Sequence, residues 1–212
     1  GIKFCVYYSH REDWDHPGGY GNNWDYDNDW GMDLYDPVKF GSYLEEKAKP
    51  QVKELLTNYG ELGLVWFDRG LYTLEQGTEF VNLVNSIQPS ALVNGRVGHY
   101  DQELLGDFTD MSDKGIPPGG LGDYFQTPQT LNETWGYSKF DTRWKSPEMV
   151  IRQLVQVVSR GGNYLLNIGP KGNGEIPAPT VEIFSKVGEW IHANGESIYG
   201  TSASPFAELE WG

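Results

Sequence analysis

The sequence predicts an α/β protein built from βα units around a parallel sheet. Two observations carry this reading. Short apolar or β-branched runs alternate with segments of helical periodicity, and each run ends in polar residues, as strands do when they hand over to helices around a parallel sheet. With 38% hydrophobic and 22% charged residues among 212, the composition is that of an ordinary folded domain, not a disordered chain.

The elements follow in order. The first strand runs from Lys3 to Tyr8 and leads into a loop rich in Asp, Trp, Asn and Gly, from Ser9 to about Pro37. Pro50 suits the first position of a helix. Val52, Leu55, Leu56 and Tyr59 then recur at helical spacing until Gly60 supplies a stop. Leu62 to Phe67 reads as the next strand, Phe80 to Ile87 as a helix closed before Pro89, and Ala91 to Asn94 as a further strand. Gly95 to Gly122 is loop, and Tyr124 to Leu131 is a strand or an extended loop. Pro147 to Ser159 carries Met149, Val150, Leu154, Val157 and Val158 on one apolar helical face. Tyr164 to Ile168 is the last clear strand. After a loop from Gly169 to Pro179, Val181, Phe184, Val187, Trp190 and Ile191 mark a helix ending before Asn194 and Gly195.

These make four or five βα units, short of the eight in a closed barrel, so either the sheet is open or further strands lie outside the segment. A dinucleotide fold would place a glycine fingerprint between its first strand and helix. Here the first strand runs into Ser9, His10, Arg11 and Glu12 instead.

A formal charge of -14 would repel phosphate backbones and anionic lipid, which are recognised by clustered Lys and Arg; nucleic-acid and membrane partners are therefore excluded. No apolar run approaches the roughly 18 residues of a spanning helix, and Gly1 leads into a strand-like segment without a basic, then apolar, leader. The single cysteine, Cys5, rules out an internal disulfide; within the apolar run Ile2 to Tyr8 it is expected to be a buried small hydrophobe. Eight Trp, thirteen Tyr and nine Phe, many in loops rich in Gly and Asp, suit the C–H faces of sugars.

In parallel α/β folds the reactive groups sit at the carboxyl ends of strands. That rule selects Tyr8 to His10, Trp66 to Asp68, Asn94 to Arg96, the neighbourhood of Gln126, and Asn167. Asp68 stands out because Val65, Trp66 and Phe67 deliver it into a strand-end crevice with aromatic walls. The competing reading makes it a helix N-cap or the partner of Arg69. Arg96 is a candidate to orient Asp68 or to bond a sugar hydroxyl, and His10 is either a donor to substrate or a local hydrogen-bonding group. Two motifs fail on inspection. Asp25, Asp27 and Asp29 alternate as in a calcium loop, but Trp30 stands where glycine is needed and Asp36 where glutamate is. Gly169 to Gly174 lacks the Gly-Lys-Ser/Thr ending of a phosphate loop and reads as a βα turn.

Taken in order, the motifs resemble those of glycoside hydrolase family 29, the α-L-fucosidases. They are Tyr7 to His10, Trp66 to Asp68, Val93 to Arg96, Thr134 to Tyr137, Gly161 to Pro170 and Asn194 to Gly200. The resemblance implies a (β/α)8 barrel, of which residues 1–212 supply the later βα units as a partial catalytic domain, the upstream strands and their sugar-binding histidine pair being absent. It implies that Asp68 is the nucleophile of a retaining mechanism, that Trp66 and Arg96 line the fucose subsite with Tyr8, and that Trp135 packs near the fucose methyl. The expected partner is a terminal α-L-fucosyl group on an oligosaccharide or glycoconjugate, with no cofactor and no metal. Enzymes of this kind are often exported, and Asn132 to Thr134 is a formal glycosylation triplet.

A retaining mechanism needs two carboxyl groups about 5 Å apart, one to attack and one to protonate the leaving oxygen. Many relatives carry an aromatic-Glu-Thr segment for the second role, whereas this sequence reads Phe125, Gln126, Thr127. An amide cannot give up and regain a proton near neutral pH. Gln126 thus marks an engineered or natural loss of the acid/base, unless an acid comes from the earlier loop of Asp107, Asp110 and Asp113, which has no glutamate after Glu103. The rival class is a fucose-binding pseudoenzyme that holds a glycan without cleaving it.

Overall fold

A computed structural model describes residues 1–13, 15–20, 36–98, 104–120, 122 and 124–206. Asp25, Asp27, Asp29, Trp30 and Glu103 lie outside the described residues. The chain divides into two units, Gly1–Thr109 and Asp110–Gly212.

In the first unit the apolar runs become strands β1 (Cys5–Ser9), β2 (Leu64–Asp68) and β3 (Leu92–Val93), all parallel, in the order β1-β2-β3. Cys5 is level with Leu64, Tyr7 with Trp66 and Ser9 with Asp68. Successive side chains in a strand point to opposite faces, and the two faces differ. Val65, Phe67 and Val93 are buried in one apolar cluster with Phe40, Tyr43, Val52, Leu56, Phe80 and Val84 from the helices, and Val6 and Tyr8 pack against it. Cys5, Tyr7, Trp66 and Leu92 belong to the other face. Cys5 is accordingly exposed, not buried as its apolar run suggested, because strand alternation places it on the side that no described helix covers.

Two helical stretches of the first unit begin earlier than apolar spacing indicates, because side-chain caps and not hydrophobic residues mark their starts. Asp36 accepts from the backbone N–H of Val38 and Lys39 and opens α1 (Pro37–Tyr43) with Pro37 in its first turn. A π-helical turn, Leu44–Ala48, joins it to α2 (Lys49–Asn58). Pro50 lacks an N–H and crowds the preceding turn, so the widened hydrogen bonding just before it lets the helix continue. Thr73 and Gln76 form a reciprocal capping box that starts α3 (Leu74–Ile87), a turn and a half ahead of Phe80. Gln88 then closes the connection into β2: its amide donates to the carbonyls of Leu56 and Gly60 and accepts from the N–H of Leu62.

A second sheet has β4 (Thr109–Asp110), which spans the boundary residue of the second unit, then β5 (Phe125–Thr130) and β6 (Asn163–Asn167) in that order, with β5 and β6 parallel and Gln126 level with Asn163. The segment Tyr124 to Leu131 is therefore a strand. Helices α4 (Pro147–Ser159), capped by Ser146, and α5 (Ala178–Asn194) bury Val150, Ile183 and Val187 against Leu131, Tyr164 and Leu166. The paired glycines have a structural cause. Gly161, at φ 84°, donates to Val158 O and Gly162 to Val157 O, which satisfies the last carbonyls of α4. A Cβ on Gly162 would stand 2.3 Å from the Phe125 ring.

Candidate active site

Asp68 is the last residue of β2, and among the described residues three donors converge on its carboxylate. The Tyr7 hydroxyl donates to Oδ2 at 2.7 Å, while Arg96 Nη1 (3.0 Å) and the backbone N–H of Arg69 (2.9 Å) donate to Oδ1. Desolvation of the Tyr7 phenol, added to by the negative charge of Asp68, raises its pKa above the usual tyrosine value, so it remains a donor. The Arg96 guanidinium stands 5.0 Å from the centre of the Trp66 ring, which stacks on Tyr7 at 5.5 Å and 19°. Aromatic ring, cation and carboxylate thus line the face of the sheet away from the helices. Arg96 is buried, so its pairing with Asp68 is largely shielded from water.

Each of these side chains is placed by a local device. Arg96 lies in a 3-10 turn, Gly95–Val97, that follows a β3 of only two residues. The ladder stops there because the buried side chain of Asn94 takes over from backbone: its Oδ1 accepts from Phe67 N at 2.7 Å and its Nδ2 donates to Phe67 O at 2.9 Å. Strand spacing selected Asn94 as a strand end but gave no sign of this bracing. After Asp68 the chain turns sharply, with Arg69 at φ 76° and Gly70 at φ 49°. Asp68 therefore takes the backbone N–H of Arg69, whereas the Arg69 side chain pairs with Glu12 at 3.1 Å.

Tyr8 and His10 stand elsewhere than at the carboxylate. Tyr8 is on the helix-facing side of β1, where its hydroxyl donates to Gln51 Oε1 at 2.7 Å. The member of the tyrosine pair that reaches Asp68 is Tyr7. His10 has no exposed surface, and both ring nitrogens lie against backbone carbonyls, Nδ1 on Asp68 O (2.9 Å) and Nε2 on Val97 O (3.0 Å). Burial pushes its pKa down to about 4, so the ring is neutral at physiological pH.

In the second unit, Gln126 is the second residue of β5 and shares its face with Pro128, Asn163 and Leu165, opposite the side packed on α4 and α5. Met111 N donates to Gln126 O at 2.9 Å, which sets the end of β4, and with it Asp110, on the strand beside Gln126. Asp107 belongs to the first unit and caps the backbone N–H of Val93 at 2.7 Å. Trp135 is partly exposed on a loop that Asp141 organises by accepting from Glu133 N, Thr134 N and the Thr134 hydroxyl, and Asn167, at the end of β6, donates to Trp135 O. Sequence reasoning missed Asp141; no strand end or motif marks it. The Gly169 to Gly174 loop closes on itself through Lys171 N to Glu175 O (2.9 Å) and Gly174 N to Lys171 O (2.8 Å), as a βα turn does.

Among the described residues no group of three or more His, Cys, Asp or Glu could hold a metal ion, and no helix is long and apolar enough to cross a membrane.

The comparisons with known proteins agree with one another. A family model described as alpha-L-fucosidase matches residues 1–196. Mouse tissue alpha-L-fucosidase is 31% identical over 211 residues, covering 94% of this chain and 43% of its own length. Alpha-L-fucosidase isoenzyme 1 from Paenibacillus thiaminolyticus superposes with a TM-score of 0.82 at 36% identity, over 97% of this chain and 52% of that one. The Lactobacillus casei enzyme AlfC, in complex with its alpha-L-fucose product, gives 0.74 at 28% identity over 92% and 62%. The chain thus spans less than half the length of the mouse protein and about half of the Paenibacillus one. With the family model covering most of its length, the chain belongs to the alpha-L-fucosidase family.

Proposed function

We propose that the chain is the nucleophile-bearing part of a retaining α-L-fucosidase (β/α)8 barrel that hydrolyses terminal α-L-fucosyl linkages of glycans without a metal or cofactor. The observation that carries this is the carboxylate of Asp68 at a strand end, met by Tyr7, Arg96 and the Arg69 N–H beside the Trp66 ring. In the first step an Asp68 oxygen attacks the anomeric carbon, the glycosidic bond breaks and its electron pair leaves with the aglycone oxygen. In the second, water attacks the same carbon and gives up a proton to solvent or to the departed aglycone oxide, while the bond to the Asp68 oxygen breaks; this releases fucose of retained configuration and frees the Asp68 carboxylate. Tyr7 and Arg96 hold the carboxylate in one orientation between the two steps. A binding module has no use for such a nucleophile.

Gln126 cannot deliver the proton that a poor leaving group needs, so as it stands this position limits the reaction to substrates with good leaving groups. A second reading assigns the proton to Asp110, and the hydrogen bond from Met111 to Gln126 favours it by placing that carboxyl on the neighbouring strand. The test of the main reading uses a full-length chain and an aryl α-L-fucoside, whose departure needs little acid assistance. Asp68→Asn is expected to cut turnover by about 10³-fold or more while the fold is kept, because the covalent route is lost. Unchanged turnover removes Asp68 from the mechanism.

A further inference from the structure

His10 is the most enclosed titratable group among the described residues of the first unit, and the reaction just described does not use it. Its ring lies 4.8 Å from that of Phe67 and edge-on to Phe80 at 5.4 Å. Its two nitrogens face the carbonyl of Asp68 and the carbonyl of Val97, the residue after Arg96. One side chain from the exit of β1 therefore touches both turns that present the carboxylate and the guanidinium. The next residue extends the grip: Arg11 Nη1 donates to Arg69 O at 3.1 Å, and its guanidinium lies 4.6 and 4.7 Å from the ring centres of Tyr20 and Tyr72. Consecutive side chains thus reach three carbonyls of the two turns from β1. A neutral imidazole has a single N–H and two acceptors within reach, so it donates to one turn at a time and opposes a lone pair to the other. The ring is shut away from solvent, and a sugar hydroxyl would find both of its polar atoms already turned to the backbone.

We infer that His10 is a positioning residue that fixes the turns after β2 and β3 relative to each other and so aligns the Asp68 carboxylate with Arg96. The inference rests on Asp68 being the nucleophile. Its weight is kinetic, since a displacement of about 1 Å in a reacting group costs on the order of 10²-fold in rate.

The side chains of Asn and Gln separate the two tethers. The amide nitrogen of Asn falls where Nδ1 lies and keeps the tether to Asp68 O; that of Gln falls where Nε2 lies and keeps the tether to Val97 O. Leucine keeps only the volume. With a full-length chain and an aryl α-L-fucoside, His10→Leu is expected to lower kcat by about 10²-fold with little change in KM or in inhibition by fucose. His10→Gln should fall by about tenfold and His10→Asn by only a fewfold. Backbone amide exchange should quicken at Arg69 and Gly70 in His10→Gln, at Val97 and Gly98 in His10→Asn, and at both in His10→Leu. Equal kcat for the three variants after correction for folded fraction, or exchange unchanged at both turns, overturns the brace. A raised KM with kcat intact does so too, since it means that His10 contacts the sugar. If His10→Leu does not fold, the contrast between Asn and Gln still decides. If Asp68→Asn proves as active as the parent, it is the nucleophile reading that fails, and the exchange data still judge whether His10 ties the two turns.

Discussion

The end of β2 and the start of β5 carry the nucleophile of the proposed reaction and the position where its acid/base is expected, and they are built differently. At the end of β2 a carboxylate is met by three donors, two of them on side chains fixed by stacking and by ion pairing. At the start of β5 stands a neutral amide whose backbone is sealed into the sheet between β4 and β6. A nucleophile needs one charge state and one direction, which a rigid set of donors supplies. An acid/base must change its charge twice in each cycle, and no amount of ordering gives an amide that property. On the proposed reading the chain is thus furnished for attack on the sugar and unfurnished, at Gln126, for departure of the aglycone.

The largest effect expected from altering this contrast comes from restoring it. Gln126→Glu in a full-length chain should raise hydrolysis of natural fucosides by about 10² to 10⁴-fold and that of activated aryl fucosides far less, because only a poor leaving group needs the proton. With Gln126 kept, azide should accelerate release from an activated substrate and yield a fucosyl azide of retained configuration. If neither occurs, the acid/base lies elsewhere, and Asp110→Asn becomes the decisive variant.

On the β2 side, Arg96→Met keeps the apolar stem and deletes the charge. The Asp68 carboxylate then loses its main counter-charge in a partly buried site, and breaking such a pair is expected to cost about 3 to 5 kcal/mol of stability. Thermal unfolding measures this, and an unaltered melting temperature would show that water solvates Asp68 freely. Tyr7→Phe and Tyr8→Phe make the finest comparison, since neighbouring residues lose the same hydroxyl. Tyr7→Phe should slow the reaction and leave stability nearly unchanged. Tyr8→Phe should leave kinetics unchanged and cost about 1 kcal/mol, the usual worth of a hydrogen bond such as the one to Gln51. Reversed results would mean that β1 presents its other face to the substrate.

How much of this was legible beforehand also divides along β2 and β5. The strand-end rule picks out Asp68 and Arg96 without any family knowledge, because a polar residue closing an apolar run has one place to go. The same rule selects only the neighbourhood of Gln126, which sits at the beginning of its strand and not at its end, and the acid/base role of that position comes from the resemblance alone. Choosing between Tyr7 and Tyr8 needed the strand register, since a shift of one residue reverses the face. Cys5 was misplaced, and the two readings of His10 left undecided, for a related reason. Sequence shows which residues are polar or apolar, but not which face of a strand is covered nor which side chains the backbone itself claims. Asn94 and Asp141 serve backbone amides and carbonyls, and that kind of work leaves no periodic trace.

The turn after Asp68 has a consequence for how this protein can change. Arg69 holds φ 76°, a conformation that costs a residue with a side chain on the order of 1 to 2 kcal/mol, and glycine would relieve it. Selection for stability alone would therefore favour Gly at position 69. The side chain of Arg69 reaches Glu12, however, and the same substitution would remove that tie to the exit of β1, although the carbonyl that takes the guanidinium of Arg11 would remain. On the proposed role of Asp68, stability and the placing of its carboxylate pull this codon in opposite directions. A lineage that drifted toward pure glycan binding would be free to settle the contest in favour of glycine.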